Sequence, residues 1–268
     1  MPIFLIAIIL GLLEGVTEFL PISSTGHLLI AERLTHFKDV QDVFTVIIQL
    51  GAIAAVVWFY RIDLLSKVCG LLARDEAALH FWKLLIIATI PAGLIGLALD
   101  KTLNKFGTPT VIAWSLIIGG VILWVVDRHP VVRGRRTLEP QIEKLTFKQA
   151  VLVGLGQAVA VIPGVSRSGA TIVTGLSLGL DRPTATAFSF YLGIPILVLA
   201  SALKLVKHPE AVSQISGGAA TLIIGLIGAF ITALLSISWL LRYVSRHNFR
   251  PFAYYRIVLG IIILLFVK

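Results

Sequence analysis

Cysteine is almost absent from this chain, and acidic residues are scarce. Cys69 is the only thiol, which excludes an intramolecular disulfide and any centre built from several thiolates. Asp and Glu number 14 against 23 Lys and Arg, and all charged residues together make up only 14% of 268. There is no Gly-x-x-x-x-Gly-Lys-Ser/Thr loop and no His-Glu-x-x-His pair, so P-loop nucleotide hydrolysis and zincin chemistry have no support. The first thirteen residues lack a basic leader, and no small-residue cleavage site follows. The N-terminal stretch is therefore expected to belong to the fold rather than to a signal peptide.

What fills the chain instead is apolar. Hydrophobic residues make up 57%, and the mean hydropathy is +0.95. A water-soluble domain could not cover that much apolar surface. The runs 43–60, 84–99, 110–126 and 219–241 are each long enough to cross a hydrocarbon core of about 30 Å at about 1.5 Å per residue. An all-α polytopic membrane protein is predicted. The formal charge of +9 lies mostly in the connections between these runs. The positive-inside bias and anionic headgroups explain it more simply than nucleic acid does. Membrane lipid is an expected partner; nucleic acid is not.

The basic connections fix an expected topology. Residues 61–83 carry Arg61, Lys67, Arg74 and Lys83; residues 128–148 carry Arg128, Arg133, Arg135, Arg136, Lys144 and Lys148. Two spans, 84–99 and 110–127, separate them, so both lie on the cytoplasmic side, as does 242–251. The link 100–109 faces outward. Only two full spans, 184–205 and 219–241, then fit between 148 and 242. Segment 149–182, broken by Pro163, Gly164 and Gly169, must enter and leave on one side as a re-entrant hairpin. Segment 2–35, broken at Pro21 and Gly26, is its expected counterpart. Gly11-x-x-Glu14 before Pro21 parallels Gly154-x-x-Gln157 before Pro163, with spacings that differ by one residue on either side of the proline. Each hairpin precedes three spans, the last being 253–267, and an odd number per half inverts the second half. The expected architecture is an inverted-topology repeat within a single integral membrane domain, 1–268. It comprises 1–127, a cytoplasmic connection 128–148 and 149–268, with two re-entrant hairpins and about six transmembrane helices.

Two polar clusters stand in apolar surroundings. Glu14 and Glu18 are at i and i+4 and share a helix face, although a carboxylate costs roughly 2.5–3.5 kcal/mol on insertion scales. At that separation in a poorly solvated site one must be protonated, or a cation must lie between them. Ser23, Ser24, Thr25 and Gly26 follow with hydroxyls and a backbone open to close approach, and His27 could transfer protons. The structural alternative puts the carboxylates among headgroups and makes the Ser-Thr-Gly run a turn, which leaves the clustering unexplained. In the second cluster, from Pro163 through Gly164, Ser166, Arg167, Ser168 and Thr171, Arg167 is the only cation between Lys148 and Arg182. Its planar fork of donors suits phosphate or carboxylate oxygens, and the helix that follows would point its N-terminus at an anion. A structural salt bridge from Arg167 to Glu14 or Glu18 is the simpler reading and is compatible with the functional one. Gln49, inside an apolar span, is expected to hydrogen-bond between helices.

Together the clusters read as a phosphate site with an acid/base pair and a cation site. Arg167, Ser166, Ser168, Thr171, Gly164, Ser23, Thr25 and Gly26 would hold phosphate. Glu14 and Glu18 would bind the cation or tune His27. Ser24, Ser23 or a water would attack phosphorus, and His27 would move the proton. A transporter or flippase for an anionic lipid is the rival, because inverted repeats with broken helices are also a transporter plan.

At these clusters the sequence resembles the undecaprenyl-pyrophosphate phosphatases, the bacitracin-resistance family of bacterial membrane enzymes. The family's Glu/Gln-x-x-x-Glu motif matches Glu14-x-x-x-Glu18, which runs into Phe19-Leu20-Pro21-Ile22-Ser23-Ser24-Thr25-Gly26-His27. Its Pro-Gly-x-Ser-Arg-Ser-x-x-Thr motif matches Pro163 through Thr171. Ile48-Gln49-Leu50-Gly51 and Phe188-Ser189-Phe190 extend the likeness over most of the chain. The resemblance implies hydrolysis of a C55 isoprenyl pyrophosphate to the monophosphate and inorganic phosphate, recycling a carrier lipid for peptidoglycan synthesis. It implies a divalent cation, Mg2+ or Ca2+, a site open to the outer face and a location in the bacterial inner membrane. A homodimer is among the expected assemblies.

Overall fold

A computed structural model describes residues 1–39, 42–103, 106–128, 139–210 and 214–267. The basic residues Arg133, Arg135 and Arg136 of the middle connection lie outside the described residues. Among those described there is no strand. The helices are α1 (Ile3–Thr17), α2 (Ser24–Thr35), α3 (Val43–Phe59), α4 (Arg61–Leu72), α5 (Glu76–Leu103), α6 (Pro109–Arg128), α7 (Phe147–Val159), α8 (Arg167–Ser177), α9 (Arg182–Lys207), α10 (Gly218–Val244) and α11 (Arg250–Phe266).

Four stretches are long and apolar enough to cross a membrane: Glu76–Leu99, Pro109–Arg128, Arg182–Lys207 and Gly218–Val244. A fifth is added if α3 and α4 count as one span bent by 74°. The predicted spans fall on these helices and on α3 and α11, with limits moved by a few residues. The largest difference is in 61–83, expected as a connection. It is mostly helical, holding α4 and the first turns of α5. Asp75 makes that start possible by accepting the N–H of Ala78 (2.8 Å). Helix α4 buries none of its residues and exposes Ile62, Leu65 and Leu72.

The bundle is apolar outside as well as in its core, and it buries several charged and polar groups. Leu94, Ile118, Ile227 and Leu235 are more than half exposed or close to it, while Glu14, Glu18, Asp127, Gln157 and Arg256 are buried. Apolar side chains facing outward along spans of membrane length are suited to lipid. The multi-pass membrane reading therefore rests on side-chain direction as well as on composition.

Two helix pairs, α1–α2 and α7–α8, are too short to cross singly, since α1 spans only about 22 Å at 1.5 Å per residue. Each pair packs on itself across a break, 18–23 in the first and 160–166 in the second. Pro21 and Pro163 lack an N–H and disfavour helix in the residue before them, so the breaks follow from sequence. Both arms restart at a serine in the same unusual backbone conformation: Ser23 at φ 69, ψ 102 and Ser166 at φ 72, ψ 115. Positive φ is rare outside glycine, so this match is a specific one.

The first arm α1 packs along α10, and α7 packs along α5. Both contacts need glycine. A Cβ on Gly11 would strike the backbone of Gly225, and one on Gly154 would lie within 3.0 Å of the Ala88 backbone. Glycines here admit close helix approach where hydrocarbon supplies little hydrophobic drive. Gly154→Ala is expected to cost about 1–3 kcal/mol by overpacking, read as a lower unfolding midpoint in detergent. An unchanged midpoint would contradict the packing.

Candidate active site

The two breaks meet. Arg167, the first residue of α8, donates from Nη2 to Glu18 Oε1 at 2.9 Å and from Nη1 to the carbonyl of Ser189 at 2.9 Å. Its guanidinium carbon lies 5.5 Å from the centre of the buried Phe19 ring, a cation–π geometry. Arg167 Nε is buried without a partner, so the guanidinium keeps donor capacity beyond the ion pair. Ser168, fully buried, shares its hydroxyl hydrogen between the carbonyls of Glu18 (3.1 Å) and Leu20 (3.0 Å). Carbonyls freed by the first break are thus satisfied by the second hairpin.

Glu18 has two distinct partners. While Oε1 takes the arginine, Oε2 accepts the hydroxyl of Ser24 at 2.8 Å. This gives a continuous chain, Ser24–Glu18–Arg167, that crosses from one hairpin to the other. The equivalent serines are used differently. Ser166 Oγ caps α8 by accepting the N–H of Gly169 at 3.1 Å. Ser23 makes no such cap, and its buried Oγ has no partner.

A cleft of about 150 Å³ opens at this junction, lined by Glu18, Ser23, Ser24 and Thr25 from the first hairpin and by Pro163, Gly164, Ser166 and Arg167 from the second. The N-terminal residues of α2 and α8 therefore share one space. Unpaired N–H groups and the positive ends of helix dipoles favour an anion there. Ala160, Ile162 and Leu197 supply apolar lining, and Gln49 joins them. Gln49, expected to bridge helices, is better described as a polar group of the cleft. Its position was readable only as a polar residue in an apolar run.

The remaining expected site residues stand behind the cleft. Thr171 Oγ1 lies 2.7 Å from Ser189 Oγ and 3.0 Å from the carbonyl of Arg167, bracing the first turn of α8 against α9. Gly26 packs on Leu116, where a Cβ would have only 3.0 Å. His27 is engaged away from Ser24: its Nδ1 is 2.8 Å from the carbonyl of Ser23 and its Nε2 is 2.7 Å from the hydroxyl of Tyr255. A carbonyl can only accept, so Nδ1 carries hydrogen; in the neutral ring Nε2 then accepts from Tyr255. The two rings also stack, with centroids 5.5 Å apart. Tyr255 and the adjacent Arg256, on the last helix, were not identified as site residues from sequence.

Glu14 is fully buried, and neither carboxylate oxygen has a partner. It lies one turn before Glu18 on the same face, so two carboxylates share the region with only one arginine in direct contact. That donor set fits a divalent cation. Among the described residues no three His, Cys, Asp or Glu side chains form a ready cage. Magnesium typically binds through one or two carboxylates and completes its shell with water and substrate phosphate.

The chain is similar to known proteins along nearly its whole length. A model of the family described as "Bacitracin resistance protein BacA" matches residues 7–262. The chain is 46% identical to undecaprenyl-diphosphatase 1 of Paraburkholderia xenovorans, covering 97% of this chain and 93% of the relative. It is 45% identical to the undecaprenyl-diphosphatase of Nitrosospira multiformis (96% and 93%) and 41% identical to that of Deinococcus radiodurans (98% and 95%). With a match that takes in both helix breaks and every residue that lines the cleft, the chain belongs to the BacA bacitracin resistance family.

Proposed function

We propose that this protein hydrolyses undecaprenyl pyrophosphate to undecaprenyl phosphate and inorganic phosphate in the bacterial inner membrane, returning carrier lipid to peptidoglycan synthesis and conferring bacitracin resistance. The observation that carries this reading is the Ser24–Glu18–Arg167 chain at the meeting of two helix N-termini. Relatives named undecaprenyl-diphosphatase along nearly the whole chain support the substrate. The hydrogen bond from Ser24 to Glu18 favours the enzyme over the transporter reading, since moving an anion needs no hydroxyl paired with a carboxylate.

The diphosphate occupies the cleft, with Arg167, Ser166, Thr25 and the N–H groups of both arms against its oxygens. Thr171, Ser168 and Gly26 hold those arms in place from behind, and Gly164 lets the second turn come close. Ser24 Oγ attacks the terminal phosphorus as its proton passes to Glu18 Oε2, 2.8 Å away. The bond to the bridging oxygen breaks, and the lipid monophosphate leaves. Water then cleaves the phosphoserine, releasing phosphate and restoring the serine hydroxyl. Ser23, with its unpartnered hydroxyl, contacts the phosphate or the attacking group. His27 fixes the first turn through the carbonyl of Ser23 and serves proton movement through Tyr255. Arg167 faces charge that grows on the equatorial oxygens in the transition state. Glu14 and Glu18 would hold a divalent cation, Mg2+ or Ca2+, and the chemistry it would supply is neutralisation of phosphate charge.

The finer architecture belongs to the same reading: two inverted halves, 1–127 and 149–268, with α1–α2 and α7–α8 as re-entrant hairpins. The paired contacts α1 with α10 and α7 with α5 support it, as do the matching conformations of Ser23 and Ser166. The connection holding α4 is then cytoplasmic.

Purified protein supplied with C55 pyrophosphate should release phosphate, and a chelator should abolish release until Mg2+ or Ca2+ is restored. Inactivity with metal present would sink the enzyme reading. Glu18→Gln should lower kcat by about 10²–10⁴-fold as a proton acceptor is lost, and Arg167→Ala by about 10²–10³-fold. Full turnover in either variant would remove that residue from the site. A rapid-quench experiment should trap phosphate on Ser24; a full single-turnover burst with no phosphoserine would favour attack by water. Cys69 is exposed on α4, so a membrane-impermeant maleimide should label it in inverted vesicles and not in intact spheroplasts. The reverse pattern would overturn the topology.

A further inference from the structure

A second arginine, absent from the chemistry above, is buried more deeply than Arg167. Arg256 on α11 is 1% exposed, the largest of the fully buried side chains. Among the described residues no carboxylate pairs with it. Its partners are carbonyls from three separate parts of the chain. Nη1 donates to Pro21 (3.3 Å), in the turn of the first hairpin. Nη2 donates to Val165 (2.8 Å) and Gly164 (3.3 Å), in the turn of the second. Nε and Nη2 also reach the carbonyls of Leu116 (3.4 Å) and Ser115 (3.3 Å) on α6. A buried charge survives only when its donors are met, and the carbonyls of Pro21, Gly164 and Val165 lie in the helix breaks, where no helical N–H meets them.

We infer that Arg256 is a positioning residue for the reaction: its guanidinium joins the turns of both hairpins and sets the separation at which Ser24, Glu18 and Arg167 meet. It does not line the cleft, so it acts through the turns rather than on substrate. The joined segments flank the reactive residues closely, Pro21 lying three positions before Ser24 and Val165 two before Arg167. The surroundings are cut to fit the group. A Cβ on Gly169 would come within 2.7 Å of Nη1. One on Gly119 of α6 would fall on Nη2 and lie 2.8 Å from the guanidinium carbon. Gly169 lies in the first turn of α8, whereas Gly119 has no part in the cleft, and its lack of a side chain is explained by the arginine. Lysine could not replace this planar fork, because its donors radiate from one nitrogen.

The inference rests on the cleft being the reaction site, and Arg167→Ala in the same assay tests that separately. If Arg167→Ala keeps full turnover, the site reading fails whatever Arg256 does. The test measures kcat and KM for C55 pyrophosphate on monodisperse full-length protein, each rate referred to the folded fraction. Arg256→Met should lower kcat by about 10²-fold, the scale of an ångström-level misplacement, with KM within about threefold. Arg256→Lys should recover little. Gly119→Ala keeps the charge and disturbs only its seat, so it serves if Arg256→Met does not fold. It should lower kcat by roughly tenfold, with KM again within about threefold. If both single variants fold, the double variant should be no slower than Arg256→Met alone, because the methyl then has room. An unchanged kcat in a folded Arg256 variant or in Gly119→Ala would overturn the inference. A raised KM with kcat intact would do the same, pointing to attraction of the anion, and so would additive losses in the double variant.

Discussion

The ion pair between Arg167 and Glu18 joins two broken helices separated by 149 residues of chain. Each break exposes backbone groups that need partners, so neither hairpin is self-sufficient when buried away from water. Side chains of the second meet the carbonyls of the first, and a carboxylate of the first meets the cation of the second. The cleft is what remains between them. Its polarity is thus a by-product of the same contacts that make the breaks tolerable, and the helix N-termini that result are directed at one space.

The framework around this junction is less symmetrical than the junction itself. Both arms begin from serines of matching conformation, yet Ser166 spends its hydroxyl on a cap and Ser23 leaves its own unused. The positions that follow diverge as well, Ser24 standing where the other arm has Arg167. One hairpin therefore offers hydroxyl and carboxylate oxygen, and the other offers a guanidinium. A site for breaking a phosphoanhydride needs both characters, and two copies of one hairpin could not have supplied them.

Much of this was legible in the sequence because hydrocarbon makes every ionisable group conspicuous. Glu14, Glu18 and Arg167 stand out in apolar surroundings, and Pro21 and Pro163 mark the breaks. The relative roles were harder to read. Ser24 is three residues before His27, which suggested a hydroxyl–imidazole pair. The turn instead sends the imidazole to Tyr255, 228 residues away, and no spacing rule anticipates that. Gln49 belongs to the cleft because of how α3 is rotated, which its apolar neighbours do not reveal. Arg256 carried the same signal as Arg167, a charge inside a span. It lies near the start of α11, beside a basic connection, where an arginine ordinarily reaches for the surface. Only the packing of α11 against α6 turns it inward.

That Arg256 sits on the final helix bears on how the protein is made. Pro21 and the arginine that holds its carbonyl are 235 residues apart. At about 5–20 residues per second the interval between their syntheses is roughly 10–50 s. Until the second turn emerges, 144 residues after Pro21, the first hairpin, with Glu14 and Glu18 already in place, has no turn to meet, and throughout the interval it lacks the Arg256 guanidinium. The first hairpin thus gains its partners in two steps, the second hairpin first and the Arg256 guanidinium of α11 afterwards. Ribosome stalling or truncation within the second half would leave the first break short of one or both, a ready mark for membrane quality control.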